Sequence, residues 1–153
     1  MASSQPPSIQ ELKRQLIAAG LEIYRTRPDA VHLAERPRDN QILDAGISVR
    51  PTTPDGSFEV RVVMRAQKCD FPRDPVETMY ERVREIAADE LVARGFTEIE
   101  SREQQMLDPG DKAKTLDVWY ELVFSRVVPD FDAAVAEAKR VLVLEKFVKG
   151  HNG

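Results

Sequence analysis

The chain of 153 residues has one cysteine, two histidines and one tryptophan. A lone cysteine, Cys69, excludes an intrachain disulfide and fits a reducing compartment. The histidines, His32 and His151, are far apart in sequence. A metal site wants clustered His, Cys or carboxylates at defined spacing, and the sequence shows no such cluster. No stretch approaches the ~18 consecutive apolar residues of a membrane span. Residues 1–7 carry neither a basic region nor an apolar stretch, so they do not read as a signal peptide. The expectation is a cytoplasmic protein without membrane contact. The turn at Gly110 holds a single glycine and no Gly-Lys-Ser/Thr, which excludes a phosphate loop.

What is present is ordinary for a folded chain, 42% hydrophobic and 31% charged with net charge −4. Bulk attraction to nucleic acid is not expected from that balance. The charge is uneven: residues 1–68 hold 10 Lys/Arg and 8 Asp/Glu, which leaves 12 and 18 for residues 69–153.

The order of elements follows from periodicity and punctuation. Ser8 and Glu11 form a capping-box pattern ahead of Ile9, Leu12, Leu16 and Ala19, and Gly20 is a natural stop, so a helix is predicted over 9–19. Strands are predicted over Leu21–Arg27 and Ala30–Arg36, joined at Pro28-Asp29, and over Ile42–Arg50, with Leu43, Ala45, Ile47 and Val49 inward. Pro54-Asp55-Gly56 turns the chain into Ser57–Lys68, where Phe58, Val60, Val62 and Met64 alternate inward. Asp74-Pro75 opens a second helix with Val76, Met79, Tyr80, Val83, Ile86, Ala87 and Leu91 on one stripe, ended by Gly95. Phe96–Met106 is a polar strand with edge character. Thr115–Val127 is the strongest strand, with Leu116, Val118, Tyr120, Leu122 and Phe124 inward. Asp130 caps a last helix over 131–148 with a stripe of Phe131, Ala134, Val135, Ala138 and Leu142. These elements give an α+β fold, order α-ββββ-α-ββ-α. It is an antiparallel sheet of about six strands with helices packed mainly on one face. One domain is expected over 8–149, with tails at 1–7 and 150–153.

No catalytic constellation stands out. His32 lies between Val31 and Leu33 on a strand, and a solvated or packed imidazole is the simplest reading. Cys69 has Asp70 on one side and Lys68 on the other, which does not activate a thiol, and it reads as a partly buried structural residue. Glu98 and Glu100 share a strand face and are best explained as exposed charges.

Three groups of residues exceed what a core needs. Trp119, Val123 and Val127 lie on the outward face of the strongest strand, and Val63 of the presumed neighbour joins them. Tryptophan is enriched at binding hot spots, so this set is a candidate partner-binding surface. Val143, Leu144 and Phe147 make the last two turns of the predicted helix apolar all round, a candidate self-association face. Arg25, Arg27, Arg36 and Arg38 bracket the first hairpin and are candidate phosphate contacts, although Glu22, Asp29, Glu35 and Asp39 interleave with them.

In element order, size, acidity and lack of catalytic residues the chain resembles the class I type III secretion chaperones and the related YbjN-like fold, with one strand more. The resemblance spans residues 8–148 and rests on topology. It implies a dimeric protein that binds protein segments and turns over no substrate. The expectation is therefore a non-enzymatic adaptor or small chaperone-like protein, without cofactor, binding a protein partner as a homodimer. Nucleic-acid binding through the first-hairpin arginines is the alternative. An enzyme or small-ligand binder with a site assembled only in space is the third reading.

Overall fold

The computed structural model describes residues 7–38, 40–52 and 56–148. The order is α1 (Ile9–Ala18), β1 (Ile23–Arg27), β2 (Ala30–Arg38), β3 (Gln41–Pro51), β4 (Phe58–Gln67), α2 (Val76–Glu90), β5 (Thr97–Asp108), β6 (Asp111–Val128), α3 (Phe131–Leu142) and β7 (Phe147–Val148). Strands neighbour one another as β1-β2-β3-β4-β6-β5, an antiparallel α+β sheet, and β7 adds a short parallel pairing with β4. The predicted order α-ββββ-α-ββ-α is present, and the polar strand β5 is at the edge. Among the described residues no helix is long and apolar enough to cross a membrane.

The chain forms two compact units, Met1–Val62 with Ser125–Leu144 and Val63–Phe124 with Glu145–Gly153, called units 1 and 2 below. The division points fall inside β4 and β6.

Unit 1 starts from local signals. The Ser8 side chain accepts from the Glu11 amide at 3.1 Å, which satisfies one orphan donor of α1. The Glu11 carboxylate is engaged by Arg14 and Gln15. At the other end Gly20 has φ +96, and Leu21 N donates to Leu16 O while Gly20 N donates to Ile17 O. This is a Schellman closure, which needs the left-handed backbone that glycine adopts at little cost. Leu12 and Leu16 of α1 and Ala134, Ala138 and Val141 of α3 are buried, as are Val31, Ile47, Val49, Phe58, Val60 and Val62 of the strands. Phe58 meets Phe131 edge-on at 5.9 Å, which places α3 on the sheet face that carries these residues. Each fully buried aliphatic side chain contributes about 1.5–3 kcal/mol of transfer free energy.

Two expectations change here. Leu43 is 40% exposed instead of inward. The β2–β3 register slips between His32/Ser48 and Ala34/Asp44, where Gly46 has φ +75 and its N–H donates to Asp44 Oδ1. The resulting bulge breaks the simple alternation that the sequence pattern assumed. On α3, Val141 is buried while Phe131, Val135 and Leu142 are only partly so, and Glu137 is buried between Arg126 (3.1 Å) and Arg140 (2.5 Å).

In unit 2, α2 buries Met79, Val83 and Ala87 at a spacing of four, and Leu91 follows at its C-cap. Ile86 is exposed, contrary to its place in the predicted stripe. The helix begins at Val76 with Pro75 as N-cap, one residue after the predicted start. Tyr80 meets Tyr120 edge-on at 5.5 Å, so Tyr120, Leu122 and Phe124 of β6 form the core with α2. Leu116, expected in that inward row, is exposed. In the turn Pro54-Asp55-Gly56, Pro54 and Asp55 lie outside the described residues, as do the predicted tail residues 1–6 and 150–153.

Candidate functional site

The last helix is shorter than its apolar pattern predicts. It stops at Leu142, and residues 147–148 leave it to pair with β4, Arg65 opposite Phe147 and Ala66 opposite Val148. Arg65 N also donates to Lys146 O at 2.9 Å. Strand pairing buries Val148 and seats Phe147 on Trp119, whereas two further helical turns would leave an apolar face uncovered. Tertiary packing overrides helix propensity here. Phe147 is therefore not on a helix face with Val143 and Leu144. Val143 is 83% exposed at the C-cap, and Leu144 is partly buried.

Around Trp119 unit 2 builds a layered cluster. Phe147 stands edge-on to the indole at 6.3 Å, and the Arg65 guanidinium stacks over it with Cζ 5.6 Å from the ring centre. Arg65 Nε lies 2.5 Å from Glu121, and Arg102 Nε lies 3.1 Å from the other oxygen of the same carboxylate. Glu121 is only 4% exposed, so two guanidiniums hold a buried charge. The indole Nε1 is buried without a hydrogen-bond partner among the described residues. A cavity of about 160 Å³ lies beside the ring, lined by Gln104, Gln105, Met106 and Trp119. That is about the volume of a protein cavity that holds a benzene ring.

The four predicted surface residues do not share one accessible patch. Trp119 and Val63 are partly buried, and Val123 is 3% exposed, covered by its own chain and closed to a partner. Val127 is 62% exposed but belongs to unit 1. The missed surface is the β5–β6 hairpin. Every residue from 97 to 116 is exposed except Glu98 and Asp108, and Ile99, Met106, Leu107 and Leu116 present large apolar side chains. Its tip is tied by Asp108 Oδ1, which accepts from Gly110 N at 2.8 Å. The hairpin's base rests on α2: Arg84 makes a two-pronged pair with Glu98 at 2.8 and 3.0 Å, and the Tyr80 hydroxyl donates to Arg102 O. The Arg84 hydrogen bond pulls the Glu98 carboxyl below its usual range, against burial.

Cys69 is exposed, not partly buried. Its backbone N–H donates to Asp117 Oδ1 at 3.1 Å, and a hydrogen bond to that carboxylate, with burial and the charges of Asp117 and Asp70, pushes the thiol above 9.0. Lys68 does not offset this. Its ammonium donates to the carbonyls of Phe71 and Asp74.

In unit 1 the strand register divides the predicted arginines. Arg25 is opposite His32, His32 opposite Ser48, and Ser48 opposite Arg61, one row across β1–β4. Arg27 is opposite Ala30, and Arg50 opposite Glu59, in the adjoining row. Residues opposite one another in a sheet share a face, so these rows lie on the face opposite Val31, Val49 and Val60. Arg36 and Arg38 lie beyond the bulge, toward the other end of β2, and Arg36 is paired with Glu22 at 3.2 Å. At ~3.3 Å per residue they are more than about 10 Å along the strand from His32. Burial pushes the His32 imidazole below its usual range, helped by Arg25, Arg27 and Arg50 and opposed by Asp44. Sequence reading missed Arg50 and Arg61 because only the register brings them to Arg25.

Among the described residues no group of three His, Cys, Asp or Glu is placed to hold a metal ion. Comparison with protein-family models, curated proteins and solved structures finds no match for this chain.

Proposed function

We propose that this protein is a non-enzymatic interaction module that binds a protein partner through the β5–β6 hairpin and the Trp119 cavity. The observation that carries this reading is the hairpin itself. It exposes four large apolar side chains on a ribbon anchored by α2 at its base, beside a side-chain-sized cavity walled by an indole. An exposed ribbon of this kind costs solubility unless a partner covers it. Gln104 and Gln105 supply amide donors and acceptors at the rim. The proposal carries to this chain the binding of a protein segment, which the resemblance in element order implies.

The test is tagged capture from nuclease-treated extract, comparing wild type with Leu116→Asp and Trp119→Ala. A protein retained by wild type and lost with both substitutions is expected. Leu116 is exposed, so its replacement leaves the core intact. A partner bound equally by all three proteins would sink the proposal.

A further inference from the structure

We propose that the β1–β4 face of unit 1 binds single-stranded nucleic acid by its phosphodiester backbone, with Arg25 and Arg27 as the principal contacts and Tyr24 as a stacking platform. The arrangement is independent of the hairpin in unit 2.

The first support is the layout of the face. Residues i and i+2 of a strand lie about 7 Å apart, and neighbouring strands about 4.8 Å apart. Arg25 and Arg27 therefore stand about 7 Å apart along β1, and Arg61 lies roughly 14 Å from Arg25, three strands away. Between them stand Ala30 and Ser48, both buried, with the half-buried His32 opposite Arg25 and Arg50 opposite Glu59. Guanidiniums thus stand along both sides of the face, an array too wide for one phosphate and suited to several linked ones.

The second support is which charges are available. Arg50 is held by Asp29 at 3.0 Å and lies 3.4 Å from Glu59, and Arg61 lies 3.0 Å from Glu59. Glu59 also accepts from the Ser125 hydroxyl. These ion pairs build the inner side of the face. Arg25 and Arg27 are exposed and have no carboxylate partner among the described residues. Two unpaired cations at the sheet edge are a matched pair of sites for anions. His32, directly opposite Arg25, adds no carboxylate to the row.

The third support is Tyr24, 43% exposed, with the Arg25 guanidinium 5.6 Å from its ring centre. A cation stacked on an exposed ring, next to phosphate contacts, is what unpaired bases use. A duplex hides its base faces and would leave Tyr24 unused. Anionic membrane surfaces call for clusters of about 4–8 Lys/Arg, more than stand free here.

The experiment is fluorescence polarisation with a labelled oligothymidylate of about fifteen nucleotides, a length within the range one binding fold covers. Salt is varied between about 50 and 200 mM, where phosphate contacts dominate the response. Two to four contacts predict a log–log salt slope of roughly −1.4 to −2.8. Arg25→Ala with Arg27→Ala should reduce the slope by about 1.4. Tyr24→Ala should weaken binding at least about fivefold. Arg36→Ala with Arg38→Ala should change neither. Circular dichroism verifies that the exposed-site variants remain folded. Absence of binding at the lowest salt would overturn the proposal. So would an equal loss with the Arg36 and Arg38 variants, or equal affinity for a duplex. Displacement by tripolyphosphate at matched phosphate, with no effect of Tyr24→Ala, would assign the face to small polyphosphates and overturn it as well.

Discussion

Phe147 stands edge-on to Trp119, with ring centroids 6.3 Å apart and planes at 87°. That contact fastens the C-terminal segment to β6, and β7 pairs it to β4. Aromatic pairs of this geometry add about 0.5–1.5 kcal/mol beyond area burial. Phe147→Ala should therefore destabilise the protein by about 1–3 kcal/mol, below the 3–5 of a full core Phe because Phe147 is only partly buried. Since Trp119 is the one tryptophan, its emission should also move to the red. Urea unfolding followed by that emission checks both. Unchanged stability and unchanged emission would show that the segment does not dock there.

The Glu121 carboxylate is nearly sealed between Arg65 and Arg102, and each arginine keeps part of its side chain in water. Removing a fully buried charge partner costs about 3–5 kcal/mol, and partial exposure of the arginines reduces this. Glu121→Gln should cost about 1–3 kcal/mol and loosen the Arg65 stack on Trp119. Denaturant titration measures the cost. A loss below about 0.5 kcal/mol, the size expected of an ordinary surface change, would mean the triad is not held as described.

Helix ends offer a cleaner pair of substitutions. Asp130 Oδ1 accepts from Ala133 N at 2.8 Å, and Asp130→Ala should cost about 1 kcal/mol. At Gly20 a Cβ has room, since the nearest neighbour is Lys139 Nζ at 3.9 Å. Backbone strain at φ +96 still makes Gly20→Ala unfavourable, by about 1 kcal/mol. Both should lower the melting temperature. A stabilised Gly20→Ala protein would refute the left-handed closure of α1.

His32 gives the fold an acid sensitivity with a definite sign. Its folded pKa lies below the ordinary histidine value of 6.5 because burial, Arg25, Arg27 and Arg50 disfavour the cation more than Asp44 favours it. Between that lowered value and about 6.5 the unfolded chain binds a proton that the folded chain refuses. Stability should therefore fall as pH drops through this window and level off once the folded imidazole is protonated. His32→Gln should flatten the profile there. Glu59 acts in a lower window. Burial raises its carboxyl, but the hydrogen bonds from Ser125 and Arg61 and the charges of Arg61 and Arg50 outweigh that and lower it below 4.5. Its stabilising contribution is present above about 4.5 and lost as pH falls through the folded value. Urea titrations at a series of pH values separate the two. An unchanged profile in His32→Gln would show that the ring is not buried as described.

The Cys69 thiol is accessible but slow. Asp117 holds it protonated, so alkylation by iodoacetamide at neutral pH should run below the rate of a free thiol. Asp117→Asn removes the hydrogen-bonding charge and should shift the pH–rate midpoint down toward 9.0. If both proteins react alike, Asp117 does not control the thiol.

Several elements were legible because their signals are local. Ser8, Gly20 and Asp130 mark helix ends through their own hydrogen bonds or backbone angles, and β4 shows its period-two burial in sequence as clearly as in space. The polar β5 was recognisable as an edge strand because it offers little to a second neighbour. Alternation failed at Leu43, where Gly46 bulges, and at Leu116, which lies on the part of β6 that runs out beyond the core. Helical periodicity failed after Leu142, since Val143 to Phe147 looks equally apolar whether it continues a helix or crosses to a strand.

The amino-acid order by itself determined the type and order of the elements from α1 to the start of α3 and most of the interior rows of the long strands, because caps, turns and alternation act over a few residues. The tertiary structure alone decided which side chains meet. Strand register put Arg25 in line with His32, Ser48 and Arg61 and left Arg36 and Arg38 elsewhere. The pairing of β7 with β4 took Phe147 from a helix face to Trp119, and packing sealed Glu121 and Val123 on a face that reads as solvent-facing in sequence. The β1–β4 register depends on turns and a bulge between strands, and the cover that Arg65 gives Glu121 and Trp119 on residues more than fifty positions apart, which alternation within one strand does not encode.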